Sequence, residues 1–418
     1  TTQPQHLPHP RAPHDCLLTK TMAHIEPNHT TAHTEPRAQP YDLLRFMNVK
    51  RVFNTQPEVC GMIIAVGEIV HERMLKKPMM TFLLSVQAGL LLSFGVLMSC
   101  QVGGRWGATT GINNFVFAGF GIPFGLTFIV ICQGSELITA NYMFTTFAVL
   151  AAEPAERPRA IKALLLNWFV CWWANLAGAI LHFTVFAWQT GLVKTVKIKG
   201  SKLPASSYSD PMNTLEHIET IYYESQQAFR DDYFGSDFCS RSNFALANMC
   251  KLINAARAKC TANFATSILR GWGCNWMVCL AIWLQMAATE PISKLFMIWL
   301  PIELFISSGF DHLVVNEFLI PGGIMIGGYY LDHRTNWGNA FFYNFLPVTI
   351  GSIFGAWSLV FPFWYVNKDA WYIAQQKRKA YTPAAVGAAT ATPVKALEED
   401  DDEESKVADK IAANDDDA

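Results

Sequence analysis

The chain has 418 residues, of which 51% are hydrophobic and 13% aromatic, and its net charge is only −2. So even a balance leaves no basic field to draw nucleic acid, and the charges that exist gather at the two ends and in one central stretch. Between them lie apolar runs longer than the roughly 20 residues a helix needs to cross a hydrocarbon layer, which places the chain among integral membrane proteins.

Residues 1–56 are rich in Pro, Thr and His, lack an apolar period and read as a disordered tail. His6, His9, His14, His24, His29 and His33 repeat no ligand spacing, so neither a metal nor a cofactor is expected. Asp15, Glu26 and Glu35 make this tail a poor transit peptide. Residues 57–78 read as an amphipathic helix with a basic end at Arg73, Lys76 and Lys77, lying either on the membrane surface or against the body of the protein. Six spans follow, at about 79–100, 115–150, 163–188, 271–289, 295–330 and 340–366. The second and fifth exceed thirty residues, too long for one crossing, and each is interrupted.

Lys and Arg of the short loops favour one side. Arg73, Lys76, Lys77, Arg157, Arg159, Lys162, Lys294 and Lys368 lie there, against Arg105 and Arg334 opposite, so both termini are expected on the cytosolic face. Residues 189–270 form one long excursion on the other face, with Lys194, Lys197, Lys199 and Lys202 near its start and a helix expected over 243–269. Cys239, Cys250 and Cys260 can pair there with one left over, and their spacing assigns no partner. Residues 367–418 read as an acidic tail, densest at Glu398–Glu404.

The interruptions share a frame. Gly134-Ser-Glu-Leu-Ile-Thr-Ala-Asn141 and Gly309-Phe-Asp-His-Leu-Val-Val-Asn316 both read Gly-x-acid-x-x-x-x-Asn, 175 residues apart. Asn167-Trp168 and Asn344-Phe345 match at an offset of 177 (344 − 167). Two matches at nearly one offset predict a duplication of three spans per copy, 79–188 and 271–366, inverted relative to each other, with the ion site between the broken helices. The expected fold is therefore all-α, with six transmembrane helices in a 3+3 repeat, helices two and five broken. Glu136 and Asp311 are expected to cap loop amides, with Asn141 and Asn316 supporting the same loops.

With these blocks go Arg270-Gly-Trp-Gly-Cys-Asn275, Ile298-Trp-Leu-Pro301 and Asn344-Phe-Leu-Pro-Val-Thr-Ile-Gly351; in order and spacing the set resembles the formate/nitrite transporter family over about 79–188 and 252–366. The resemblance, strongest to eukaryotic algal or protist members, implies an aquaporin-like protomer and a homopentamer. It implies one path per protomer for small monovalent anions such as formate, nitrite or bicarbonate. It puts the central histidine at His312, the loop threonine at Thr139, apolar constrictions at Leu126, Leu137 and Phe305, and a polar pore residue at Asn175. Ile122 stands where the family often has Phe, and Phe124 is nearby to replace it. Ala140, Asp311, Glu303 and Ser352 depart from the usual residues, as does the excursion. Plasma membrane and chloroplast envelope both remain open.

Protons enter by arithmetic. A bare anion in an apolar slit costs several kcal/mol or more, while protonating a carboxylate whose ordinary pKa is near 3.9 costs about 4 kcal/mol at pH 7. Passage as the neutral acid is then the cheaper course. His312, neutral while the path is empty, is the side chain there whose unperturbed pKa lies near neutrality. Either it gains and hands on a proton while Thr139 orients the ion, or it only donates a hydrogen bond and the proton comes from water. A membrane enzyme built on His312, Asp311 and Glu303 would need a metal set or nucleophile that the spans do not offer, and an ammonium channel would need a second pore histidine.

Overall fold

The computed structural model describes residues 53–103, 121–132, 136–198, 220–234 and 244–389. The N-terminal tail, Gly134, Lys199, Lys202, Cys239 and the acidic stretch 398–404 lie outside the described residues.

Helix α1 (Gln56–Lys76) opens on a capping box, with Thr55 at the N-cap and Glu58 reaching back to its amide. One face, with Val59, Ile63 and Val70, is buried against the body of the protein, the second of the two placements left open by the sequence. Helix α2 (Pro78–Gly103) follows after one residue. The second apolar stretch divides into α3 (Ile122–Ile131) and α4 (Ile138–Ala151), with extended backbone at Leu137 between them. Helix α5 (Arg157–His182) continues as a π-helical segment, Phe183–Trp188.

The excursion is more ordered than its polar sequence suggests. Strands β1 (Thr195–Ile198) and β2 (Thr220–Tyr223) pair in parallel, Thr195 opposite Thr220, and short helix α6 (Gln226–Phe234) follows. The helix expected over 243–269 breaks: α7 spans Phe244–Cys260 and α8 spans Phe264–Ala287, so Arg270 and Gly271 lie inside α8 and not at a boundary. The cause is Asn263, whose side chain accepts from the Thr266 amide at 3.2 Å and starts a new helix. Cys250 is in a disulfide whose partner lies outside the described residues, and Cys260 is a buried free thiol.

The fifth stretch divides like the second, into α9 (Pro291–Ser307) and α10 (Leu313–Gly323). Gly309 takes φ +79° between them, a left-handed turn that any side chain would strain. After π-helical turns at Ile324–Gly328 and Phe341–Phe345, helix α11 (Leu346–Ala389) runs well past residue 366, where the sixth span was expected to end.

By length and composition, helices over Pro78–Val102, Arg157–Trp188 and Trp337–Ile373 can cross a membrane. Apolar side chains form outward stripes at helical spacing, Leu165, Phe169 and Trp173 on α5 and Phe296, Leu300 and Leu304 on α9. Faces of that kind belong against lipid or other subunits, not water.

Small residues let the long helices meet closely. A Cβ on Gly178 of α5 would collide with the carbonyl oxygen of Val86 on α2, and one on Gly355 of α11 would lie 2.5 Å from that of Trp272 on α8. Both glycines are therefore demanded by backbone approach. Gly178→Val should leave no monodisperse peak in size-exclusion chromatography of detergent-solubilised protein; a normal peak would show that the α2–α5 contact tolerates separation.

Candidate functional site

Each broken stretch is held by the same contacts. In the first, the Glu136 amide donates to the carbonyl of Leu84 on α2 at 3.1 Å; in the second, the Asp311 amide donates to that of Arg270 on α8 at 3.4 Å. Asn141 donates to Asn167 Oδ1 at 3.1 Å, and Asn316 to Asn344 Oδ1 at 2.8 Å. The Asn175 amide group is used completely: Oδ1 accepts from the Ile138 amide, and Nδ2 donates to the carbonyls of Ser85 and Glu136. It staples the loop to α2 and is spent on that task. Asn275 does related work from α8, donating to the carbonyls of Thr139 and Ser352 at 3.1 and 2.7 Å.

The two acids do not cap amides among the described residues. Arg73 of α1 lies 2.5 Å from Glu136 Oε1, while Asn141 donates to Oε2 at 2.6 Å. Asp311 pairs with Lys259 at the end of α7. A carboxylate at this depth requires a full opposite charge, which an amide dipole does not supply. Lys259 escaped the sequence reading. Its signal was a spacing: 259 − 73 is 186, the same as 270 − 84 for the loop-anchoring carbonyls.

At the centre, His312 occupies the N-cap of α10, and its Nδ1 accepts from the Val315 amide at 3.3 Å. The neutral ring thus carries its hydrogen on Nε2, which faces Thr139 Oγ1 at 3.4 Å across the two broken stretches. Phe305 stacks on the imidazole, with centroids 5.9 Å apart and planes 17° from parallel. Leu126, Leu137, Phe305, Thr139 and His312 are all buried. The Ile122 amide donates to Ser99 Oγ at 3.0 Å, and Phe124 packs edge-on to Trp299 at 4.8 Å.

Glu303 accepts from Ser307 on the same helix. His182 is packed among Phe94, Phe186 and Phe318, with neither ring nitrogen bonded. Glu317, also passed over by the sequence reading, is fully buried beside Asn316, and neither of its oxygens has a hydrogen-bond partner among the described residues. In the last turn of α7, Arg257 approaches Asp332, whose carboxyl is held below its usual range by hydrogen bonds from Arg334. No group of three or more His, Cys, Asp or Glu side chains able to hold a metal occurs among the described residues.

Fold and site together define a helical integral membrane protein in which two broken stretches meet at a buried His312–Thr139 contact. The sequence profile of the formate/nitrite transporter family matches residues 61–215 and 236–366. A probable formate transporter of Methanothermobacter thermautotrophicus is 30% identical over 306 residues, covering 72% of this chain and 93% of the relative. The formate channel FocA of Escherichia coli K12 is 25% identical over 305 residues, 68% of this chain and 85% of that one. A solved FNT family ion channel superimposes with a TM-score of 0.54 at 21% identity, covering 74% of this chain and 98% of its own. The chain belongs to the formate/nitrite transporter family, and its business is the transport of anions.

Proposed function

We propose that the protein passes formate and nitrite across its membrane, with the anion taking up a proton at the His312–Thr139 point and crossing the constriction as the neutral acid. The observation that carries this reading is the buried Nε2 of His312 directed at Thr139 Oγ1, with Phe305 stacked on the ring. One donor in a dry slit stabilises an anion without solvating it, and a proton offsets the rest for about 4 kcal/mol at pH 7.

The proton has two possible sources, and the hydrogen bond at Nδ1 bears on the choice. With Nε2 already protonated, imidazolium forms only by protonating Nδ1, which breaks the bond to Val315 at a cost of about 1 kcal/mol. Hydronium from the bulk solution supplies the proton without that loss, leaving His312 as the donor that fixes the anion. The neutral acid then leaves and ionises beyond the constriction.

Six spans in an inverted 3+3 repeat, aquaporin-like in plan, are part of the same proposal. Support comes from the matched contacts of Asn141–Asn167 with Asn316–Asn344, Arg73–Glu136 with Lys259–Asp311, and Gly178–Val86 with Gly355–Trp272. The apolar stripes on α5 and α9 suit a homopentamer in lipid, and the charge bias of the short loops suits cytosolic termini. Transport, not catalysis, is the activity this arrangement serves. Uptake of labelled formate, nitrite and bicarbonate into proteoliposomes, with ammonium as a control, tests the reading. Formate and nitrite uptake should rise with an inward proton gradient; bicarbonate uptake alone would transfer the assignment to that anion, and ammonium uptake alone would overturn it.

A further inference from the structure

A cavity of about 410 Å3 lies against α1. Leu126 and Leu137 line it, α1 contributes Val70 and Arg73, the last turn of α8 contributes Gln285 and the first turn of α9 contributes Lys294. Three charged side chains line it: Arg73, Glu136 and Lys294. Two of them cancel, since Arg73 is engaged by Glu136 at 2.5 Å. Lys294 has no carboxylate within ion-pair distance among the described residues. Its ammonium donates to the Gln285 carbonyl at 3.1 Å, one of the three donors it carries. The cavity is therefore net positive, and it stays so whether or not the buried Glu136 is ionised.

We propose that Lys294, steadied by the Gln285 carbonyl, is a capture site for a small monovalent oxyanion ahead of the Leu126–Leu137 constriction. The inference rests on the anion-transport reading and adds to it the residue that recruits the ion from one face. An ammonium is a compact, well-hydrated point charge with rotatable donors, suited to holding a small anion and releasing it. Arg73 cannot do this work while its guanidinium is committed to Glu136. The largely apolar walls, among them Val66, Ile129 and Phe144, concentrate the field of the Lys294 ammonium along the cavity. Lys259, the corresponding cation of the second broken stretch, is likewise committed, to Asp311.

Flux of formate measured separately from each face, with the full-length protein reconstituted in known orientation, tests the site. Lys294→Gln keeps a donor for the Gln285 carbonyl and removes the charge. The half-saturating concentration at the α1 face should rise about five- to tenfold, and its dependence on ionic strength should flatten. Lys294→Arg should restore both, and Lys294→Glu should raise the half-saturating concentration beyond the Gln variant. A role confined to structure would follow side-chain shape and not this order of charge. Unchanged α1-face values in both the Gln and Glu variants overturn the site while formate transport itself stands. If the wild-type protein passes no small anion, the transport reading fails instead. Line broadening of 13C-formate by solubilised wild-type and Lys294→Gln protein then decides the site alone, unequal broadening supporting it and equal broadening overturning it.

Discussion

Replacing His312 with phenylalanine should abolish proton-coupled formate uptake while leaving folded protein in the membrane. The benzyl ring fills the space of the imidazole and keeps a stacking partner for Phe305. What it removes is the Nε2 donor facing Thr139 and the N-cap bond to Val315. Losing a cap costs about 1 kcal/mol, too little to unfold a protein of this size. On the proposed reading, losing the Nε2 donor is far more serious, since a hydrogen bond to a charged group is worth about 1.5–3 kcal/mol. Each 1.4 kcal/mol is tenfold in rate, so flux should fall by one to two orders of magnitude from that term alone. A companion variant separates the two proton sources. Asn caps helices well and donates from its amide, but it carries no exchangeable charge at neutral pH. With water as the source, His312→Asn keeps slow uptake that still responds to a proton gradient; with imidazolium as the source, it behaves like the Phe variant. Undiminished coupled uptake in His312→Phe would remove His312 from the mechanism altogether.

The sequence exposes the frame of this site and hides its fasteners. The two Gly-x-acid-x-x-x-x-Asn stretches stand out because acids and amides are rare in apolar runs, and the offsets of 175 and 177 tie them together. The same offsets pick out which asparagines meet, and Asn141 does bond Asn167 as Asn316 bonds Asn344. Arg73 and Lys259 lie outside those frames, in helices that precede the spans. Their spacing of 186 differs from 175 because 52 residues separate Leu84 from Glu136 while 41 separate Arg270 from Asp311. A search at one fixed offset passes over them. Amide capping is a local habit and suggests itself for the acids from sequence, whereas their real partners arrive through the tertiary placement of α1 and α7. Asn175 illustrates the same limit. The resemblance gives it as a polar pore residue, and its three bonds to Ile138, Ser85 and Glu136 come to light only in the structure. The strands escape for another reason. Four residues each of Thr-Val-Lys-Ile and Thr-Ile-Tyr-Tyr are too short for periodicity to register.

The pairing of Asp311 with Lys259 leads to the second large effect, on stability. Lys259→Met keeps the length and apolar stem of the lysine and removes its charge, stranding a buried carboxylate. One oxygen of Asp311 already lacks a partner, so the variant leaves none for the other. Breaking one side of a buried ion pair costs about 3–5 kcal/mol, whereas replacing both sides is often close to neutral. Lys259→Met should therefore lower the detergent melting temperature by roughly ten degrees, and Lys259→Met with Asp311→Asn should recover most of that loss. The corresponding pair in the first unit should respond more weakly. Glu136 retains the 2.6 Å bond from Asn141 when Arg73→Met removes its cation, so part of its charge stays compensated. The comparison carries over to function, because the Asp311 amide fixes the stretch that presents His312 to Thr139. The Lys259 variant should lose flux in step with stability, and the double variant should regain both. A Lys259→Met protein as stable as wild type would mean that Asp311 finds another partner, and the role assigned to α7 would fall.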